Sequence, residues 1–100
     1  MTPEGVIKRT VNRELLKRKV RGVHWHMPVQ NGMGKPTLDY VGCANGAYFA
    51  IETKAPGGKP TPRQEATAEE IASAGGAPFL VDGDHALAVF TTNTTRSWSV

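Results

Sequence analysis

The sequence predicts an α/β fold, a mixed β-sheet flanked by helices in the order α-β-β-β-α-β. Three observations carry that prediction. Apolar residues at helical spacing open the chain. An Asn45-Gly46 dipeptide separates two runs rich in aromatic and aliphatic residues. A helix start at Thr61 then leads toward a last short apolar run.

The elements follow in order. Thr2-Pro3-Glu4 reads as a helix start, with Thr as N-cap, Pro at the first helical position and an acid in the first turn. Ile7, Val11, Leu15 and Leu16 make one apolar stripe, basic residues fill the other faces, and Gly22 closes the helix. Val23–Met27 reads as a short strand, and the turn-forming residues from Pro28 to Pro36 as a loop. Asn45-Gly46 is a strong hairpin signal and joins the next two strands, the second running from Ala47 to Lys54. After the Ala55–Pro60 loop, Thr61 and Gln64 supply a capping box for a helix that runs to about Ala74 and ends at Gly75-Gly76. Ala77–Asp82 is apolar enough to be a strand covered on both faces. Its βαβ link to Ala47–Lys54 predicts a parallel pair with a right-handed crossover. Residues 84–90 are expected to form a last short helix, and residues 91–100 show no period.

With 100 residues the chain makes one domain, expected to have its core over about residues 3–84. Hydrophobic residues at 39% and charged residues at 21% exclude a disordered protein. No apolar run approaches the ~20 residues that span a bilayer, and the first residues do not read as a signal peptide. Cys43 alone supports neither a disulfide framework nor a cysteine-based zinc site, so a reducing, cytoplasmic setting without membrane attachment is expected. The net charge of +3 is unevenly spread: residues 1–63 carry +7 and residues 64–100 carry −4. A basic part on a small domain fits a polyanionic partner such as nucleic acid, and equally a solvated helix face.

The hairpin also sets the chemistry. If Asn45-Gly46 is a two-residue turn, Ala44 opposes Ala47. The register then pairs Tyr40 with Ile51, Asp39 with Glu52 and Leu38 with Thr53. Alternation puts Leu38, Tyr40, Phe49 and Ile51 on one core face, and Asp39, Glu52 and Lys54 on the other. Opposed residues have Cβ atoms about 5 Å apart, so Asp39 and Glu52 would repel unless a cation sits between them. Carboxylate oxygens suit a hard ion such as Mg²⁺, which can activate water and stabilise charge on a phosphodiester. Lys54 can orient the water or neutralise phosphate oxygens. The alternative is a surface ion-pair cluster that holds no ion.

The spacing Asp39…Glu52-Thr53-Lys54 resembles the PD-(D/E)xK nuclease signature. IETKAPGGKPTPRQ, followed by AGGAPFLVD, is similar to the VRR-NUC family, in particular its small stand-alone phage members. The resemblance runs from about Pro3 to Asp84. It implies a restriction-endonuclease-like core and Mg²⁺- or Mn²⁺-dependent cleavage of phosphodiesters, leaving 5′-phosphate and 3′-hydroxyl ends. By position, Asp39 and Glu52 are implied as metal ligands, Lys54 as the catalytic lysine, Gln64 as the helix glutamine near the site, and Glu4 as an acid that reaches the metal. Leu38 stands where the family usually has proline, which leaves the backbone at Asp39 open.

Plainer roles compete. Gln64 can serve only as the capping partner of Thr61, and Glu4 only as a complement to the helix dipole. His24 and His26 share one strand face, and His26 is a candidate substrate contact. Lys35, Lys59 and Arg63 are candidate phosphate contacts, with ordinary solvation as their alternative. Cys43 is expected to be inert. The function expected is that of a DNA endonuclease, acting as a homodimer on branched or otherwise structured DNA. The alternative is an endonuclease-like module that grips DNA or a helicase partner without cutting. A regulatory phage protein whose basic helix binds acidic protein surfaces is a further alternative.

Overall fold

The computed structural model describes residues 2–19, 22–30 and 32–83. Its elements are α1 (Pro3–Arg18), β1 (Val23–His26), β2 (Tyr40–Ala44), β3 (Ala47–Thr53), α2 (Pro62–Ser73) and β4 (Ala77–Val81). The order is the one the sequence predicts. The expected helix over residues 84–90 and the tail over 91–100 lie outside the described residues. No helix among the described residues is long and apolar enough to cross a membrane.

Local chemistry accounts for the element ends. The Thr2 hydroxyl accepts the Gly5 N–H at 3.0 Å and caps α1, with Pro3 in its first turn. At α2 the capping box is complete. Thr61 Oγ1 accepts the Gln64 N–H, and Gln64 Oε1 accepts the Thr61 N–H. That helix closes in a Schellman motif, with Gly76 N–H bonded to the Ile71 carbonyl and Gly75 N–H to the Ala72 carbonyl.

The sheet order is β1-β2-β3-β4, antiparallel except for the parallel β3–β4 pair that flanks α2. The turn is the expected one: Asn45 and Gly46 both have positive φ, 51° and 89°, as a type I′ turn requires. It fixes the register from Ala44–Ala47 out to Tyr40–Ile51. There the ladder stops. Asp39 and Leu38 do not continue it, so the expected Asp39–Glu52 and Leu38–Thr53 pairs do not form.

Two cores lie on opposite faces of the sheet. Ile7, Val11 and Leu15 of α1 pack with Tyr40, Phe49, Ile51 and Val81. Ala68 of α2 packs with Leu38, Val41, Ala50 and Leu80. Val81 and Leu80 thus bury opposite faces of β4, as its apolar run predicts. Leu38 is a correction: alternation would set it with Tyr40, but it sits in the α2-side core because the chain leaves the pleat at Asp39. Leu16 is a second correction, since it is exposed while Glu14 takes the inner position. An α-helix advances 100° per residue, so 7, 11, 14 and 15 form a tighter stripe than 7, 11, 15 and 16. Glu14 is tolerated there because the Lys17 and Arg18 side chains donate to its carboxylate at 3.1 and 3.0 Å.

Candidate functional site

Glu52, the penultimate residue of β3, is 3% exposed and leans toward α2. Two donors stand near it. Gln64 Nε2 donates to its Oε2 at 2.9 Å, and Lys54 Nζ lies 3.8 Å from the same oxygen. Lys54 follows β3 directly, and its backbone N–H bonds to the Val81 carbonyl, so the lysine is carried on the sheet rather than on a free loop.

Asp39 reaches the site by a different route. Outside the ladder, its Oδ2 accepts both the Thr53 N–H at 3.0 Å and the Thr53 hydroxyl at 2.8 Å. A side chain thus satisfies the N–H that a continued strand pair would have taken. Thr53 is fully buried and points to the α1 side, opposite to its neighbour Glu52. The carboxylate of Asp39 is therefore drawn to the end of the sheet, toward α1, instead of lying flat across from Glu52. Lys8 of α1 approaches its other oxygen at 3.8 Å. The backbone carbonyl of Lys8 accepts the Tyr40 hydroxyl at 3.1 Å, which ties α1 to the start of β2.

Glu4, one helical turn before Lys8, completes the cluster. Carboxylate oxygens of Glu4, Asp39 and Glu52 lie within 4.8 Å of one another. Opposite oxygens of an octahedral Mg²⁺ shell stand about 4.2 Å apart, so small side-chain rotations bring these three to bonding positions. The all-oxygen donor set fits a hard divalent cation. Burial, with the nearby charge of Asp39 adding to it, pushes the Glu52 carboxyl up to about 7. Lys54 and the backbone contact at Asp39 offset that only in part.

The sequence-derived candidates separate into two groups. Glu4, Asp39, Glu52, Lys54 and Gln64 converge. Arg63 and Lys35 line the open groove of about 530 Å³ that also holds Asp39, Glu52 and Gln64. Lys35, however, pairs with Glu70 of α2. Lys59 is exposed in the loop before α2 and does not line the groove, and His26 is exposed on edge strand β1. His24 is likewise exposed on β1, opposite the exposed Cys43.

Gln64 makes two contacts at once, because an amide has two ends: Oε1 caps α2 and Nε2 donates to Glu52, so capping does not keep it from the cluster. Sequence reasoning missed Lys8 and Thr53. Lys8 had a signal, its i,i+4 spacing from Glu4 on one helix face. Thr53 had none beyond its place between Glu52 and Lys54.

No protein-family model matches the chain, and no curated protein matches it. Among solved structures the chain is similar to one described as a VRR_NUC domain. The TM-score is 0.68 over 83% of this chain and 87% of that one, at 19% identity. This likeness fixes the fold as the VRR-NUC, restriction-endonuclease-like α/β type, a mixed four-stranded sheet with helices on both faces.

Proposed function

We propose that the protein is a metal-dependent nuclease that hydrolyses phosphodiester bonds in DNA. The observation that carries this reading is the convergence of Glu4, Asp39 and Glu52 within 4.8 Å, with Lys54 3.8 Å from Glu52. Such a group is costly as bare structure, because two carboxylates crowd one buried site and Glu52 gives up part of its charge at neutral pH. The fold adds support, since a solved domain described as VRR_NUC shares it.

In this reading Glu4, Asp39 and Glu52 hold Mg²⁺ or Mn²⁺. When bound, the ion supplies a Lewis acid for the phosphate and a lowered pKa for an attacking water. The chain's own residues do the rest. Thr53 fixes the Asp39 carboxylate through two hydrogen bonds, and Gln64 orients that of Glu52 through one. Lys54 presents its ammonium beside Glu52, where it neutralises a phosphate oxygen or orients the water. Lys8 balances the negative charge on the α1 side. Arg63, in the exposed first turn of α2, faces the groove through which a phosphate backbone would enter. Lys59, Lys35 and His26 remain proposed contacts farther out, for DNA that is branched or otherwise structured. The proposal includes a homodimer, since a domain of this size offers little surface to grip a duplex, and light scattering decides that point.

The deciding experiment incubates the protein with Mg²⁺ or Mn²⁺ and linear, nicked, flapped and four-way DNA, beside Lys54→Ala. Metal-dependent cleavage that falls on the order of 10²–10³-fold in Lys54→Ala is expected. Equal cutting by a folded Lys54→Ala protein overturns the assignment. DNA binding that persists in EDTA, with no cleavage in Mn²⁺, favours the non-cutting DNA- or helicase-binding module instead.

A further inference from the structure

The groove at the acidic cluster continues along α2 into a second cavity of about 410 Å³. Both halves are lined by Lys35, Pro36, Thr37 and Thr67. The far half is walled by Tyr48, Ile71, Ala74 and Gly76. The two halves differ in chemistry. Beside the carboxylates stand Arg63 and the first turn of α2, where the helix dipole favours negative groups. The far half lies at the other end of that helix, where the dipole is negative. Its acidic residue is Glu70, and Lys35 is paired with it. A phosphate is disfavoured there, whereas a flat uncharged group is not.

Tyr48 gives such a group a surface. It is 47% exposed, against 6% for its neighbour Phe49. It precedes Glu52 by four residues on β3 and shares its face, so the two lie about 13 Å apart along the strand. The ring is backed by the chain after α2. A Cβ at Gly76 would stand 2.9 Å from the Tyr48 ring and 2.8 Å from Ile71, closer than carbon atoms pack. Glycine there lets the backbone support one side of the aromatic ring while the ring still lines the cavity.

We propose that the far half of the groove is a nucleobase site, in which an unpaired base of the strand held at the acidic cluster stacks on Tyr48. This rests on the nuclease reading above, and it adds a substrate requirement. At a rise of about 3.4 Å per stacked nucleotide, 13 Å covers roughly four nucleotides. A base within an intact duplex is stacked on its own neighbours and cannot enter. DNA with unpaired bases a few steps from the scissile phosphate therefore gains contact energy that a blunt duplex does not. Stacking reads any base by its face. The Thr37 hydroxyl can donate to or accept from a base edge, while that of Thr67, which donates to the Arg63 carbonyl, can only accept, so the site selects for unpairing more than for sequence.

The test measures binding in Ca²⁺ on a Lys54→Ala background. The probes are a short single-stranded oligonucleotide carrying 2-aminopurine and a blunt duplex of the same sequence. Tyr48→Phe should bind the single strand like its parent and quench the probe. Tyr48→Ala should lose roughly 5- to 150-fold in single-strand binding, the value of one stacked base, with duplex binding unchanged. Tyr48→Leu repeats the comparison with an apolar side chain larger than alanine that cannot stack, should the alanine variant unfold early. Equal losses on both probes, or no loss on either, overturn the proposal. Cleavage in Mn²⁺ by the protein with native Lys54 is scored separately, so absence of cutting sinks the nuclease reading while the Tyr48 comparison still decides the base site.

Discussion

Glu14 and Glu52 are each 3% exposed, and each has a lysine at hand, yet their carboxyls move in opposite directions. The side-chain hydrogen bond from Lys17 is the main reason that Glu14 is held below the ordinary carboxylate range, and Arg18 adds to it. Glu52 is pushed up to about 7 by burial and by Asp39, because its lysine stands at 3.8 Å and its close donor is a neutral amide. Two cations at hydrogen-bond distance complete Glu14 as a structural ion pair. Glu52 is left short of positive charge, beside two further acids, and that shortfall is what separates the proposed cation site from an ion pair already complete.

The sharpest way to break this contrast is to neutralise both residues in turn. Glu52→Gln should abolish metal-dependent cleavage and raise metal-free stability at pH 8. A shift from 4.5 to about 7 corresponds to about 3 kcal/mol. Glu14→Gln should leave cleavage near the parent level and lower stability by about 1–2 kcal/mol, through the loss of charge-assisted bonds. Urea unfolding beside a cleavage assay reads both. Two variants that shift stability in the same direction would dissolve the distinction.

A smaller effect follows from pH. Glu52 titrates higher in the folded chain than in the unfolded one, so the folded state holds its proton longer. Its contribution to stability therefore falls as pH rises from about 4.5 to about 7 and stays low above that. Glu14 runs the other way: its contribution is present above the ordinary carboxylate pKa and is lost as pH falls through its lowered value. Saturating Mg²⁺ or Mn²⁺ should raise the urea midpoint at pH 8 much more than at pH 5, where Glu52 is protonated and competes poorly for metal.

The smallest effect separates the two ends of one amide. Thr61→Ala and Gln64→Ala should each cost about 1 kcal/mol through the lost cap. Only Gln64→Ala should move the Glu52 titration upward, followed by carboxyl-carbon NMR. Equal titrations in the two variants would leave Gln64 a cap alone.

How much of this was legible in the sequence depended on whether the deciding chemistry is local. The hairpin, its register to Tyr40–Ile51 and both helix starts were readable, because turn and cap preferences act within a few residues. The residues of the acidic cluster were named by the resemblance; the register that pointed to Asp39 opposite Glu52 stops at Tyr40–Ile51. The path by which Asp39 arrives was not. It depends on the Thr53 hydroxyl and on α1 docking at Lys8, contacts that span 14 and 31 positions of the chain. Leu38 changed cores for the same reason. Glu14 escaped notice because a charge on a helix reads as a solvent-facing residue until its partners are placed.

Gln64 has one more consequence. A single side chain both closes the first turn of α2 and grips the most perturbed carboxylate, so that turn cannot fray without releasing Glu52. Opening of the helix end and loosening of the Glu52 carboxylate are then coupled, each favouring the other. On warming, the proposed chemistry would be lost before the fold, and a cation on the carboxylates would act at a distance as a clasp on the helix.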